Sequence, residues 1–320
     1  MNRQHFLRAA AAVALAACVP GAWAQAYPSR TVTVIIPFPP GGTLDFIGRQ
    51  LAVKLGERTG QTFVVDNRPG GGGTIGATAV KNAKPDGYTL LFAPSTVATT
   101  PLAMKTPPFN VLKDFSSIAL VAKAPLAIAV NKNLPITDVK TLISHAKANP
   151  GKLNFAIGSP ASAGHLSTEL LRRAAGIDYL IVPYKGSAPA YQDLVGGQID
   201  AFIDPILGSQ AFAKAGQLRV IGVTSKTRLP SMPDVPAVSE TIPGYEFHSW
   251  YGLWGPAKLP ADVVAKLNTE VNMALASMRA QLLVQGIVVS GGSVDEFVKF
   301  QQEDIAKSQK IITEGNIRAE

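Results

Sequence analysis

The sequence predicts an α/β protein of two lobes, and three observations carry that prediction. Short runs of branched aliphatics alternate with helical patterns along nearly the whole chain. The alternation falls into two β-α-β series separated by one long apolar segment from Phe115 to Val130. With 320 residues, 47% of them hydrophobic and 16% charged, the chain is long enough for two such cores.

The first series opens at "VIIPFPPGGTLD", where Val34, Ile35 and Ile36 read as a strand buried on both faces and the prolines and glycines form a turn at its carboxyl end. In the helix that follows, Phe46, Ile47, Leu51 and Leu55 fall at helical spacing and Gly60 closes it. "QTFVVDNRPG" is a second strand, residues 74–83 a short helix, and "YTLLFAPST" a third strand. In "FSSIALVAKAPLAIAV" a lysine and a proline split the apolar run, the point at which a strand can leave one sheet for another. The second series then runs through "VKTLISHAKAN", "LNFAIG", "HLSTELLRRAAG", "DYLIVPY", "APAYQDLVGGQ", "IDAFIDP", "SQAFAKAG" and "LRVIGVTS" as alternating helices and strands. "KTRLPSMPDVPAVSETIPGYEF", rich in proline, reads as a return connection. An aromatic stretch, "SWYGLWGP", and two strong helices end the chain and are expected to pack back on the first lobe. The expected division is residues 1–26 as a signal peptide, 27–126 and 233–320 as lobe 1, and 127–232 as lobe 2.

The signal peptide is read from Arg3 and Arg8, a short apolar run closed by Pro20 and Gly21, and the A-x-A patterns at Ala22, Ala24 and Ala26. The run is too short to span a bilayer. It implies export to the periplasm, with "LAAC" at Cys18 offering lipoprotein processing as a second route. Cys18 is the one cysteine, so a chain cut after Ala26 holds neither a disulfide nor a thiol nucleophile. The formal charge is +8, or +6 without Arg3 and Arg8, but the basic residues are scattered. Small anions therefore fit this balance better than nucleic acid.

Several chemistries lack their residues. "GGGTIG" satisfies G-x-G-x-x-G, but the next strand ends in Ala93, Pro94 and Ser95 with no acid for a ribose, so these glycines are read as permitting close helix approach. No nucleophile elbow, H-E-x-x-H or phosphate-binding P-loop occurs. His145, His165 and His248 lack an ordered set of nearby acids, so neither a metal nor a cofactor is expected.

What remains is a set of small polar loops at strand ends. Gly41 and Gly42 expose backbone N–H groups where a helix begins, a position that favours an anion, and Thr43 adds a hydroxyl. Asp45 would repel a carboxylate, so it is read as an acceptor for loop N–H groups. Ser95 and Thr96 follow the third strand, and Ser159 and Ser162 precede a helix of the other lobe. Each alone reads as a helix cap; together they suggest an anion-binding cleft.

The stretches "YPSRTVTVIIPFPPGGTLD", "GQTFVVDNRPGGGGTIGATAVKNAKPDGYTLL", "HLSTEL", "VPYKGSAPAYQDLVGGQID" and "WYGLWGPAKLP" resemble the Bug family, the extracytoplasmic receptors of tripartite tricarboxylate transporters. The resemblance implies a type II periplasmic binding protein fold, two α/β lobes joined by two crossovers with the ligand cleft between them. It also implies a non-enzymatic receptor that delivers a small organic carboxylate to transporter membrane subunits, expected to act as a monomer. Binding roles carry over to Phe38, Pro40, Gly41, Gly42, Thr43, Ser95, Thr96, Ser159, Ser162, His165 and Asp204, with Asp45 supporting the loop. The loop "GSPASAGH" departs from the family form: it is shorter and lacks a second glycine. A dicarboxylate, an aromatic carboxylate and an amino acid all remain open as ligands. An exported hydrolase and a carboxylate sensor without a transporter are the alternative readings.

Overall fold

The computed structural model describes residues 27–319, so the expected signal peptide and Cys18 lie outside the described residues. Strand β1 (Val32–Ile36) is central, flanked in parallel by β2 (Phe63–Asn67) and β3 (Thr89–Pro94), which is why its aliphatics are buried on both faces. Helix α1 (Thr43–Thr59) lays Leu44, Ile47, Leu51 and Leu55 into the first core and ends at Gly60, whose φ of 70° closes the helix in the left-handed conformation. Helix α2 (Thr74–Lys81) follows the glycine run. A Cβ at Gly76 would stand 2.8 Å from the Arg68 carbonyl oxygen and from Pro37, so the glycine permits helix and loop to touch.

Two short helices, α3 (Thr96–Thr99) and α4 (Val111–Asp114), lead to β4 (Phe115–Asn131). The split at Lys123 and Pro125 does not interrupt this strand; its 17 residues run through both lobes. Up to Pro125 it pairs antiparallel with β9 (His248–Pro256), and from Leu126 onward with β7 (Ala201–Pro205) and β8 (Leu218–Val223). Register shifts near Ser117 and Leu120 bend it on the way. The second lobe adds α5 (Val139–Ala148), β5 (Asn154–Ile157), α6 (Ala163–Ala175), β6 (Leu180–Pro183), α7 (Ser187–Gly196) and α8 (Ile206–Lys214), with β5 parallel to β6 and β7.

The proline-rich connection packs differently from the expected division. Val238 and Tyr245, placed in lobe 1 by the sequence reading, belong to the core of the second lobe with Leu142, Phe155 and Ile221. The chain re-enters the first sheet only at His248, because the apolar residues of the connection find their cover on the second lobe. There the aromatic stretch becomes β9, inserted between β3 and β4, with Trp250, Tyr251 and Trp254 buried. Helix α9 (Ala261–Val284) packs on α1, the two-residue β10 (Val288–Val289) pairs with β4, and α10 (Val294–Glu314) sets Phe297 against both tryptophans.

Candidate functional site

The β1–α1 turn is built from a few local interactions. Gly42 is the N-cap of α1 and no side chain caps that first turn, so its orphan N–H groups face outward. A Cβ built on Gly41 or Gly42 would meet nothing within 4 Å, so both glycines border open space. Asp45 accepts from the Gly41 N–H at 3.1 Å, from Arg49 Nε at 2.9 Å and from Asn67 Nδ2 at 3.0 Å. Asn67 Nδ2 also donates to the Phe38 carbonyl at 3.0 Å, tying β2 to the turn. Burial alone would raise the Asp45 pKa, but the hydrogen bonds from Arg49, Asn67 and Gly41 outweigh it and hold the carboxyl below its ordinary value. The Gly41 N–H is thereby committed to the loop, while the first-turn amides beyond it have no side-chain cap.

Beside this turn in the first lobe stand Ser95, Thr96 and Tyr251. The Ser95 N–H donates to the Trp250 carbonyl at 2.8 Å, and Tyr251 pairs with Pro94 across the β3–β9 ladder. The Tyr251 hydroxyl lies next to the Ser249 and Thr43 side chains and within electrostatic reach of Asp204 in the other lobe. Burial, together with that acid, keeps the phenol protonated.

The second lobe contributes three strand ends. Asp204, at the end of β7, accepts from Ser187 Oγ at 3.0 Å, and burial pushes its carboxyl up to about 7 despite that hydrogen bond and the neighbouring Tyr191 hydroxyl. Gly186 is the N-cap of α7, again without a side-chain cap, and a Cβ there would come 4.0 Å from Pro39 of the first lobe. The β1–α1 turn and the glycine-led start of α7, one from each lobe, thus approach each other. Gly158 lies close behind, its Cβ position 3.7 Å from Ser187 N. Ser159 is buried beside it in the sequence, and its carbonyl accepts from the Ser162 N–H at 3.2 Å.

Other residues named from sequence occupy structural positions. Ser162 caps α6, its hydroxyl accepting from the His165 N–H at 3.2 Å. His165 Nδ1 accepts from the Ala161 N–H at 3.1 Å, which holds Ala161 at a φ of 56°. Burial, with Arg172 nearby, drives the imidazole down to about 4, so it is neutral at pH 7 and its Nδ1 is occupied. Phe38 is half-buried, its ring 3.0 Å from a Cβ at Gly73, so it packs on the glycine run. Pro40 is exposed at the tip of the turn. Across the lobes, Thr99 Oγ1 donates to the Ala161 carbonyl at 2.6 Å and Thr100 Oγ1 to the Pro160 carbonyl at 3.3 Å.

Sequence reasoning did not single out Tyr251, Ser187, Gly186 or Tyr191. "KGS" after a strand and before a helix repeats the logic of "GGT" and could have marked Gly186 and Ser187; nothing local marks Tyr251, which reaches the cleft only because β9 is inserted beside β3. A surface groove lined by Pro101, Pro107, Pro108, Phe109 and Ile305 shares none of these residues.

Two α/β lobes crossed by β4, with polar strand ends and helix starts turned toward each other, define the bilobed solute-binding class of the type II periplasmic binding fold. Residues 47–317 match the family model described as tripartite tricarboxylate transporter family receptor, and the chain belongs to that family. It is 36% identical over 319 residues to the UPF0065 protein in the tcbD-tcbE intergenic region of Pseudomonas sp. strain P51, covering 98% of this chain and 95% of that one. Among solved structures it is similar to R. palustris Rpa4515 with adipate, at 36% identity and a TM-score of 0.88 over 91% of this chain and 99% of that one. It is also similar to MatC from Rhodopseudomonas palustris with bound malate, at 31% identity and a TM-score of 0.81 over 89% and 100% of the two chains.

Proposed function

We propose that this receptor captures a small organic carboxylate in the periplasm, between its two lobes, and delivers it to the membrane subunits of a tripartite tricarboxylate-type transporter. The observation that carries the reading is the uncapped start of α1 at Gly42, open in front and braced from behind by Asp45. A braced backbone loses little order on binding. The carboxylate is held by the first-turn amides and Thr43, with Ser95, Thr96 and Ser159 as neighbouring hydroxyls and Tyr251, Ser187 and Asp204 closing the cleft. The adipate with R. palustris Rpa4515 and the malate bound to MatC, two similar structures, support a carboxylate of this size. Hydrolysis is less well supported, because His165 spends Nδ1 on Ala161 and orients no serine toward a substrate.

A thermal-shift screen of organic acids, followed by calorimetry, tests the reading, since a ligand that binds only the folded state raises its stability. Stabilisation by one or more carboxylates is expected. Response to sugars or cations alone, with every carboxylate inert, would overturn it.

A further inference from the structure

Asp204 is an acid without a counter-charge. Its carboxyl faces Ser187 and Tyr191 from α7 and, across the cleft, Tyr251 from β9; the β4 residue beside it in the ladder is Ala127. Among the described residues no lysine, arginine or histidine acts on it. The Tyr191 hydroxyl, buried next to it, has no hydrogen-bond partner of good geometry. On the other side Tyr251 lies against Thr43, at the helix start where the carboxylate is proposed to sit. A second anion brought to this cleft therefore meets an acid that already lacks any cation, and two carboxylates in hydrogen-bond contact share a proton rather than both ionise.

We infer that Asp204 meets the bound ligand as a neutral carboxylic acid, donating its proton in a hydrogen bond to the ligand carboxylate, so that capture of an anionic acid takes up one proton from solvent. No covalent bond changes, and the proton is returned on release. The inference rests on the proposed carboxylate capture. Burial that already favours the neutral acid in the free receptor supports it, because only a modest further rise is then needed. The device would let a cleft with no arginine clamp bind an anion without leaving a buried charge unpaired.

The test is calorimetry with adipate, malate and a panel of other small organic acids, at pH 8 in phosphate and in Tris, whose ionisation enthalpies differ widely. Uptake approaching one proton per ligand is expected, with the Kd rising by up to about tenfold per pH unit above pH 7. In Asp204→Asn, whose amide still donates, the buffer dependence should vanish and the Kd should become flat between pH 7 and 9. Binding of an acid with no proton uptake by the natural protein overturns the inference and leaves carboxylate capture standing. An unchanged pH slope in Asp204→Asn overturns it as well, and failure of every acid to bind overturns both.

Discussion

Asp45 and Gly41 are joined by a hydrogen bond of 3.1 Å from the glycine N–H to the carboxylate, and Arg49 and Asn67 hold the same carboxylate from the other side. The turn is therefore shaped by a side chain turned back into the loop rather than out past the start of α1. Asp45→Ala should weaken the acid found in the screen by about ten- to hundredfold, or about 1.4 to 2.8 kcal/mol. Calorimetry showing an unchanged Kd would remove Asp45 from this role.

The two glycines of the turn should respond differently to a side chain. Gly42 has a φ of −89° that any residue adopts, and its Cβ would meet nothing, so Gly42→Val should fold normally yet abolish carboxylate binding by standing before the helix start. Gly41 has a φ of 94°, so Gly41→Val should also lose about 1 to 3 kcal/mol of stability. Retained binding in folded Gly42→Val would refute the backbone cleft.

Gly76 is a packing glycine. Gly76→Ala should destabilise the first lobe by about 1 to 3 kcal/mol, because the new methyl meets the Arg68 carbonyl and Pro37. Urea unfolding measures this, and a neutral result would mean that helix and loop can separate without cost.

Asp204 carries a pH signature in the free protein. Its carboxyl lies at about 7 when folded and near the ordinary aspartate value of 3.8 when unfolded, so the folded state binds the extra proton between those values. Stability is therefore lost as pH rises from about 4 to 7. Asp204→Asn should remove that loss and be the more stable protein at pH 8, by at most about 4 kcal/mol. Parallel melting curves at pH 5 and 8 decide it.

His165 works in the opposite direction. Its folded value of about 4 lies below the ordinary 6.5, so its contribution is complete above about pH 6.5 and is lost as pH falls toward 4. His165→Asn, which keeps an acceptor for Ala161, should flatten this acid dependence by at most about 3 kcal/mol. An identical acid limb in the variant would place the titration elsewhere.

Much of this was legible in the residues because the signals are local. Branched aliphatics at β1, the amphipathic stripe of α1, Gly60 at its end, and the long apolar run that became β4 each act within one element. Glycines before a helix likewise announce exposed amides whatever surrounds them, and Asp45 lies only four residues from the N–H it accepts. The role of Ser162 was balanced between cap and ligand by its sequence; in the folded chain its hydroxyl accepts from the His165 N–H.

By itself the sequence determined the two β-α-β series, the crossing strand and the glycine turn, since these depend on periodicity and on contacts a few residues apart, and its motif stretches carried the resemblance to the receptor family. Only the tertiary structure decided that the proline-rich connection covers the second lobe, that Tyr251 stands beside Thr43, and that Gly186 approaches Pro39. It also decided that Asp204 sits without a counter-charge, because the protonation of a half-buried acid is set by every element packed around it, and those elements come from distant parts of the chain.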